Sequence, residues 1–168
     1  MLIAASVASA QEWRRYGVDD LVVVDVQGQP QISDTLGQTV FMSQTEYGMI
    51  VVTKMIENVG VPTDQELQKF YNEFLQGYAK SGKVGIVNST YDTTGGPPSM
   101  RFNFHQLEGT VYGEAEVVLV NNRVYTFQFL FNGAVRAEAT PEYEHFFSSV
   151  IIMSPQITQL PPGVRFGR

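Results

Sequence analysis

The chain has no cysteine, and that one absence removes disulfides, thiolate nucleophiles, thiolate metal sites and a lipid-modified N-terminal cysteine. Basic residues are also scarce, with 11 Lys and Arg against 17 Asp and Glu and a formal charge of −6, so phosphate-rich partners lack a counter-surface. Nucleic acid is therefore excluded as the expected partner, and an anionic membrane surface is disfavoured for the same reason. Only two histidines are present, too few for the nitrogen-rich sites that transition metals favour. No apolar run approaches the roughly 20 residues that span a bilayer. Internal repeats, coiled-coil heptads and long charge runs are missing as well.

What is present is an alternating segment. Arg101, Asn103 and His105 recur every second residue, followed by Glu108-Gly109 and by Tyr112, Glu114 and Glu116 at the same period. A two-residue connection ending in glycine between alternating runs is a hairpin signal, and counting outward pairs Leu107 with Thr110, His105 with Tyr112, Asn103 with Glu114 and Arg101 with Glu116. Asn121-Asn122 supplies a second tight turn, because asparagine tolerates the positive φ angles of a type I′ connection. Val120 then faces Arg123, Val118 faces Tyr125, and Glu116 and Glu114 lie beside Phe127 and Phe129. The opposite face carries Met100, Phe102, Phe104, Val111, Ala115, Val117, Leu119, Val124 and Leu130, interrupted by Thr126 and Gln128, and is the stronger candidate for a core.

At 168 residues the chain fits one domain. Residues 1–10 end in Ala8-Ser9-Ala10, the small-residue pattern of a secretory cleavage site without the usual basic start, and read as a signal-peptide remnant of a periplasmic or secreted protein. Residues 11–153 form the domain and 154–168 a flexible tail with Pro155, Pro161 and Pro162. Trp13, Arg14 and Arg15 fall in a short lead. Leu21 to Val26 reads as a strand, Ile32 to Gly37 as a connector, and Val40 to Thr45 with Met49 to Met55 as a hairpin around Glu46-Tyr47-Gly48.

Thr63-Asp64-Gln65-Glu66 is a capping box, and Leu67, Phe70, Tyr71, Phe74, Leu75 and Tyr78 follow at helical spacing, with Gly82 marking the end. Val84 to Tyr91 is a strand, and Thr93 to Pro98 a loop. Thr140 with Pro141 at the first helical position opens a second helix bearing Tyr143, Phe146, Phe147 and Val150 and ending near Met153. Two amphipathic helices and a sheet apolar on both faces predict an α+β fold, an antiparallel sheet of about six strands between two helices in three α/β/α layers.

This order of elements resembles the PsbP-like superfamily. The resemblance rests on the strand ending at Gly28-Gln29-Pro30, the helix capped at Thr63, the segment Val118 to Tyr125 through Asn121-Asn122, and Glu142 to Ser149. It implies an antiparallel sheet with helices and a binding or assembly role. The metal-binding histidines of some members have no matching positions here.

Arg101, Asn103, His105, Tyr112, Glu114 and Glu116, beside Phe127 and Phe129, form the candidate surface for a protein partner or a small polar ligand. The ordinary structural alternative is a cross-strand ion pair on a partly exposed face. No cofactor, metal ligand or catalytic residue is expected, and the function read from the residues is a non-catalytic extracytoplasmic accessory or binding module. Two other classes stay open: a secreted hydrolase using Glu114, Glu116 and His105, and a carrier or chaperone in which Tyr125, Phe127, Phe129 and Phe131 meet an apolar client.

Overall fold

The computed structural model describes residues 12–35, 37–57, 62–94, 96–153 and the backbone of 165–166. The proposed signal remnant at 1–10 and nearly all of the tail at 154–168 lie outside these residues.

Among the described residues eleven strands and two helices run in the order β1 (Trp13–Gly17), β2 (Val22–Gln27), β3 (Gln31–Thr35), β4 (Gln38–Gln44), β5 (Gly48–Ile56), α1 (Asp64–Gly82), β6 (Val84–Asp92), β7 (Ser99–Gln106), β8 (Val111–Val120), β9 (Arg123–Asn132), α2 (Arg136–Ser149), β10 (Ile151–Ile152) and β11 (Arg165–Phe166). A 3-10 turn, Gly133–Val135, leads into α2. Seven strands form one antiparallel sheet in the order β3-β4-β5-β9-β8-β7-β6, and four form a second in the order β10-β2-β1-β11.

The second sheet corrects the expected three-layer α/β/α arrangement with a single sheet of about six strands. β9 sits at the centre of the large sheet and is apolar on both sides, so both sides need cover. On one side α1 buries Leu67, Tyr71 and Leu75 against Phe102, Phe104, Ala115, Val117, Leu119 and Val124. On the other side α2 buries only Ala139, Phe146, Phe147 and Ser149, a stripe too narrow for a sheet this wide. The small sheet supplies the rest through Val22, Val24 and Val26, which join Phe41, Ile50, Val52, Tyr125, Phe127 and Phe129 in one cluster. An unbroken valine run is the mark of a strand covered on both faces. Here β2 is covered in this way, Val22, Val23 and Val24 being buried without alternation.

Two further expectations change for related reasons. The lead at Trp13 to Arg15 is β1, held along β2 from Trp13 opposite Gln27 to Gly17 opposite Val23. The connector at Ile32 is β3, pairing Ile32 with Phe41 of β4 at the sheet's edge. Neither segment has the alternation of a half-buried strand: β3 is an edge strand exposed along its whole length, and β1 lies between β2 and β11, held on both sides by backbone pairing. β11 pairs in parallel with β1 at Tyr16 and Gly17.

The helix ends follow local chemistry. Thr63 N donates to Glu66 Oε2 at 2.8 Å and Glu66 N to Thr63 Oγ1 at 3.4 Å, completing the capping box. Lys83, rather than Gly82, takes the left-handed conformation after α1 (φ 50°). α2 begins at Arg136, a turn earlier than Pro141 suggests, and Pro141 lies inside it. Its missing N–H falls near the exposed start, where water can satisfy the freed carbonyl. α2 ends at Ser149, ahead of the expected end near Met153, because β10 then pairs with β2.

Two polar latches join the layers. Glu142 Oε2 of α2 accepts from Thr45 Oγ1 at 2.6 Å and Tyr47 N at 3.2 Å, gripping the β4–β5 turn. Asp19, between β1 and β2, accepts from Tyr125 Oη at 2.8 Å and Arg123 Nη1 at 3.1 Å. Arg123 also binds Asp20 and holds its carboxyl below the usual range.

Tyr71 Oη links α1 to the sheet by donating to Pro98 O at 2.6 Å and accepting from Leu119 N at 2.9 Å. Burial pushes its phenol from 10.0 up to about 12. The folded state thus resists a deprotonation that the unfolded chain accepts, and stability present below pH 10.0 is lost as pH rises through about 12. Tyr71→Phe leaves Leu119 N–H unpaired and is expected to cost about 1–3 kcal/mol at neutral pH. Urea unfolding at a series of pH values should also find a shallower alkaline loss in the variant than in the parent.

Candidate functional site

The ladder sits on the β6 side of the large sheet. Its register is the one expected from the turns, with Arg101 opposite Glu116, Asn103 opposite Glu114 and His105 opposite Tyr112. β9 continues it, with Glu114 opposite Phe129 and Glu116 opposite Phe127. The turn chemistry accounts for the β8–β9 register, since Asn121 (φ 48°) and Asn122 (φ 61°) both adopt the left-handed region that a type I′ connection requires; the β7–β8 connection is longer than the expected two residues, Leu107 and Thr110 falling outside both strands.

Shared register does not fix which side chains meet. Arg101 reaches diagonally to Glu114, Nε donating to Oε1 at 2.5 Å with Nη2 also in contact, rather than directly across to Glu116. Its guanidinium stacks over the Phe147 ring of α2, 4.5 Å from the centroid, an arrangement that favours a cation. Asn103 and Glu114 line an open groove of about 290 Å³ with Arg101, Phe102 and the β6 residues Asn88, Thr90 and Asp92. Glu116 is half-buried and has neither ion pair nor hydrogen bond among the described residues. The sequence marks Val84 to Tyr91 only as a strand and does not join it to the ladder; a bulge between Ile86 and Asn88 sets Asn88, Thr90 and Asp92 on the ladder face.

His105 stands apart. Its ring lies over Gly85, where an added Cβ would come within 2.7 Å of Cε1, and 6.0 Å from the Tyr112 ring. Tyr112 continues to Phe131 at 6.3 Å and Phe131 to Tyr143 of α2 at 6.3 Å, an aromatic row leading away from the carboxylates. His105 makes no hydrogen bond to Glu114 or Glu116 among the described residues, so the acid–base trio does not assemble. Phe127 and Phe129 are 0% exposed and Phe131 7%, under α2 and the small sheet. They form core, not surface, and an apolar client has no route to them.

The second histidine, His145, stacks on Trp13 at 4.3 Å with Nε2 3.4 Å from Asp25 Oδ2. It is an interfacial residue of α2 and the small sheet. Among the described residues no three His, Asp or Glu side chains gather as a metal site requires, and no helix is long and apolar enough to cross a membrane.

No protein-family model and no curated protein matches this chain. A solved structure does: cyanobacterial PsbP (CyanoP) from Synechocystis sp. PCC 6803 superposes with a TM-score of 0.66 over 91% of this chain and 99% of its own, at 14% identity. The fold is PsbP-like. A structure from Bacteroides thetaiotaomicron VPI-5482, at a TM-score of 0.40, 12% identity and coverage of 80% of this chain and 46% of its own, adds no argument. The PsbP-like fold agrees with the resemblance carried by the Val118 to Tyr125 hairpin and the capped helix, and at this identity it speaks for architecture alone.

The Gly85–His105 contact gives a direct check on how the ladder is packed. Gly85→Ala forces the imidazole aside and is expected to cost about 1 kcal/mol, whereas the same change in a His105→Ala background should be nearly neutral. Denaturant unfolding of the four proteins measures that coupling.

Proposed function

We propose that this chain is a non-catalytic, extracytoplasmic accessory module that works by holding a partner protein, or a small polar ligand, on its ladder surface. Arg101 carries the reading. It is an arginine fixed in place by Glu114 and the Phe147 ring while still 45% exposed, at the edge of a groove lined by Asn88, Thr90, Asp92 and Asn103. Positioned charge with free donors, on a rigid sheet, suits recognition, since little side-chain freedom is then lost on binding. The PsbP-like fold supports the accessory assignment. The unit proposed to do this is residues 11–153.

The hydrolase reading has less support. Glu114 is committed to Arg101, and His105 packs on Gly85 away from both glutamates. A carboxylate pair for glycoside cleavage also needs a sugar-sized gap between its members, which neighbouring positions on one strand do not provide.

The test is capture from the native envelope fraction by the immobilised chain, compared with an Arg101→Ala, Asn103→Ala, Glu114→Ala variant verified as folded by circular dichroism. A stoichiometric partner retained by the parent and reduced at least about tenfold by the variant is expected, corresponding to about 1.4 kcal/mol. Equal capture by both proteins overturns the ladder as the contact surface.

A further inference from the structure

We propose that β6 is a docking edge that accepts an extended segment of a partner protein carrying Lys or Arg at alternate positions. This inference rests on the ladder being a contact surface and specifies the form of what it contacts.

β6 is the last strand of the large sheet, so along its outer side alternate backbone N–H and C=O groups have no strand to pair with among the described residues. Natural edges are usually guarded by lysine, proline, inward charge or short length. Val84 to Tyr91 contains none of these residues, and β6 is nine residues long. The opposite edge, β3, is five residues long and carries Asp34. The one irregularity in β6, the bulge between Ile86 and Asn88, leaves Val87 63% exposed and is followed by five residues in unbroken register, Asn88 opposite Asn103 to Asp92 opposite Ser99. Three of those five, Asn88, Thr90 and Asp92, also line the groove. Asn88, Thr90 and Asp92 point to the ladder face, so a strand laid outside β6 sets every second side chain at the groove's rim.

Charge selects the occupant. Asp92, Glu114 and Glu116 face one guanidinium, Arg101, which is already paired with Glu114. Glu116 is half-buried without a cation, and Asp92 is held below its usual carboxyl range by hydrogen bonds from Thr94, so it stays charged. A basic segment neutralises this surplus, while the formal charge of −6 on each chain opposes a second copy at the same edge. Strand addition of this kind takes its affinity from main-chain bonds and its selectivity from alternate side chains.

The experiment is amide hydrogen exchange followed by NMR on the full chain with three synthetic peptides: alternating Lys-Val, alternating Glu-Val and alternating Lys-Pro. With the Lys-Val peptide at about 1 mM and a dissociation constant of about 0.1 mM, outward amides within Asn88 to Asp92 should exchange about tenfold more slowly. The Glu-Val and Lys-Pro peptides should give no slowing, and an Asn88→Lys, Thr90→Lys variant should abolish the Lys-Val effect. Absence of slowing, or equal slowing with Glu-Val, overturns the proposal. So does an edge already protected in a free chain that sediments as a dimer, since the occupant is then a second copy. Lys-Pro binding that shifts Arg101 and Asn103 signals without protecting β6 also overturns strand addition while leaving the ladder as a contact surface. Failure of that broader reading is registered separately, by the capture comparison, whose variant leaves β6 intact.

Discussion

The structure depends on burying both sides of β9. Tyr125, Phe127, Phe129 and Phe131 project to one side and Val124 and Leu130 to the other, and large apolar side chains gain about 1.5–3 kcal/mol each on burial. A strand with that demand must sit inside the sheet and must be roofed twice. The long stripe of α1 satisfies one side by itself. The other side needs two elements from opposite ends of the chain, β2 and α2, and this is why the small sheet exists and why Asp19 and Glu142 latch it and the helix to the sheet's turns.

The same requirement shapes the candidate site. α2 shields β9 and overlaps the ladder as far as Phe147, so the ladder residues nearest β9 are drawn into packing and those nearer β6 stay accessible. Arg101 stands at that boundary, its guanidinium against Phe147 and its Nε on Glu114. Carboxylates beyond the reach of α2 lie beside β6, which among the described residues is an edge strand. The accessible polar side chains of the ladder therefore lie toward the margin of the large sheet, and its aromatic interior is buried.

Much of the local structure is legible in the residues. Asn121-Asn122 sets the register of β8 and β9 because a two-residue turn leaves no slack for a slip, and between β7 and β8, where the connection is longer, a one-residue shift would turn every apolar side chain to the wrong face. Thr63 and Glu66 fix the start of α1 by pairing each other's backbone donors. Two strands are illegible for want of any such signal. Trp13 to Gly17 and Gln31 to Thr35 pair with the neighbouring β2 and β4 through backbone groups and show no apolar alternation, and Pro141 misplaces the start of α2 because it sits inside that helix and not at its first position.

By itself the sequence determined the absence of thiol chemistry, the two helices, the strand phase from Met100 to Phe131 and the set of polar residues sharing one face, since each follows from composition, from interactions within a few residues or from short connections. Tertiary structure alone decided that the valine run belongs to a second sheet, that Phe127 and Phe129 are roofed, that Arg101 pairs diagonally with Glu114, and that β6 is an edge. Those outcomes depend on which distant segment covers which face, and burial area, unlike hydrogen-bond register, carries no local signature in the chain.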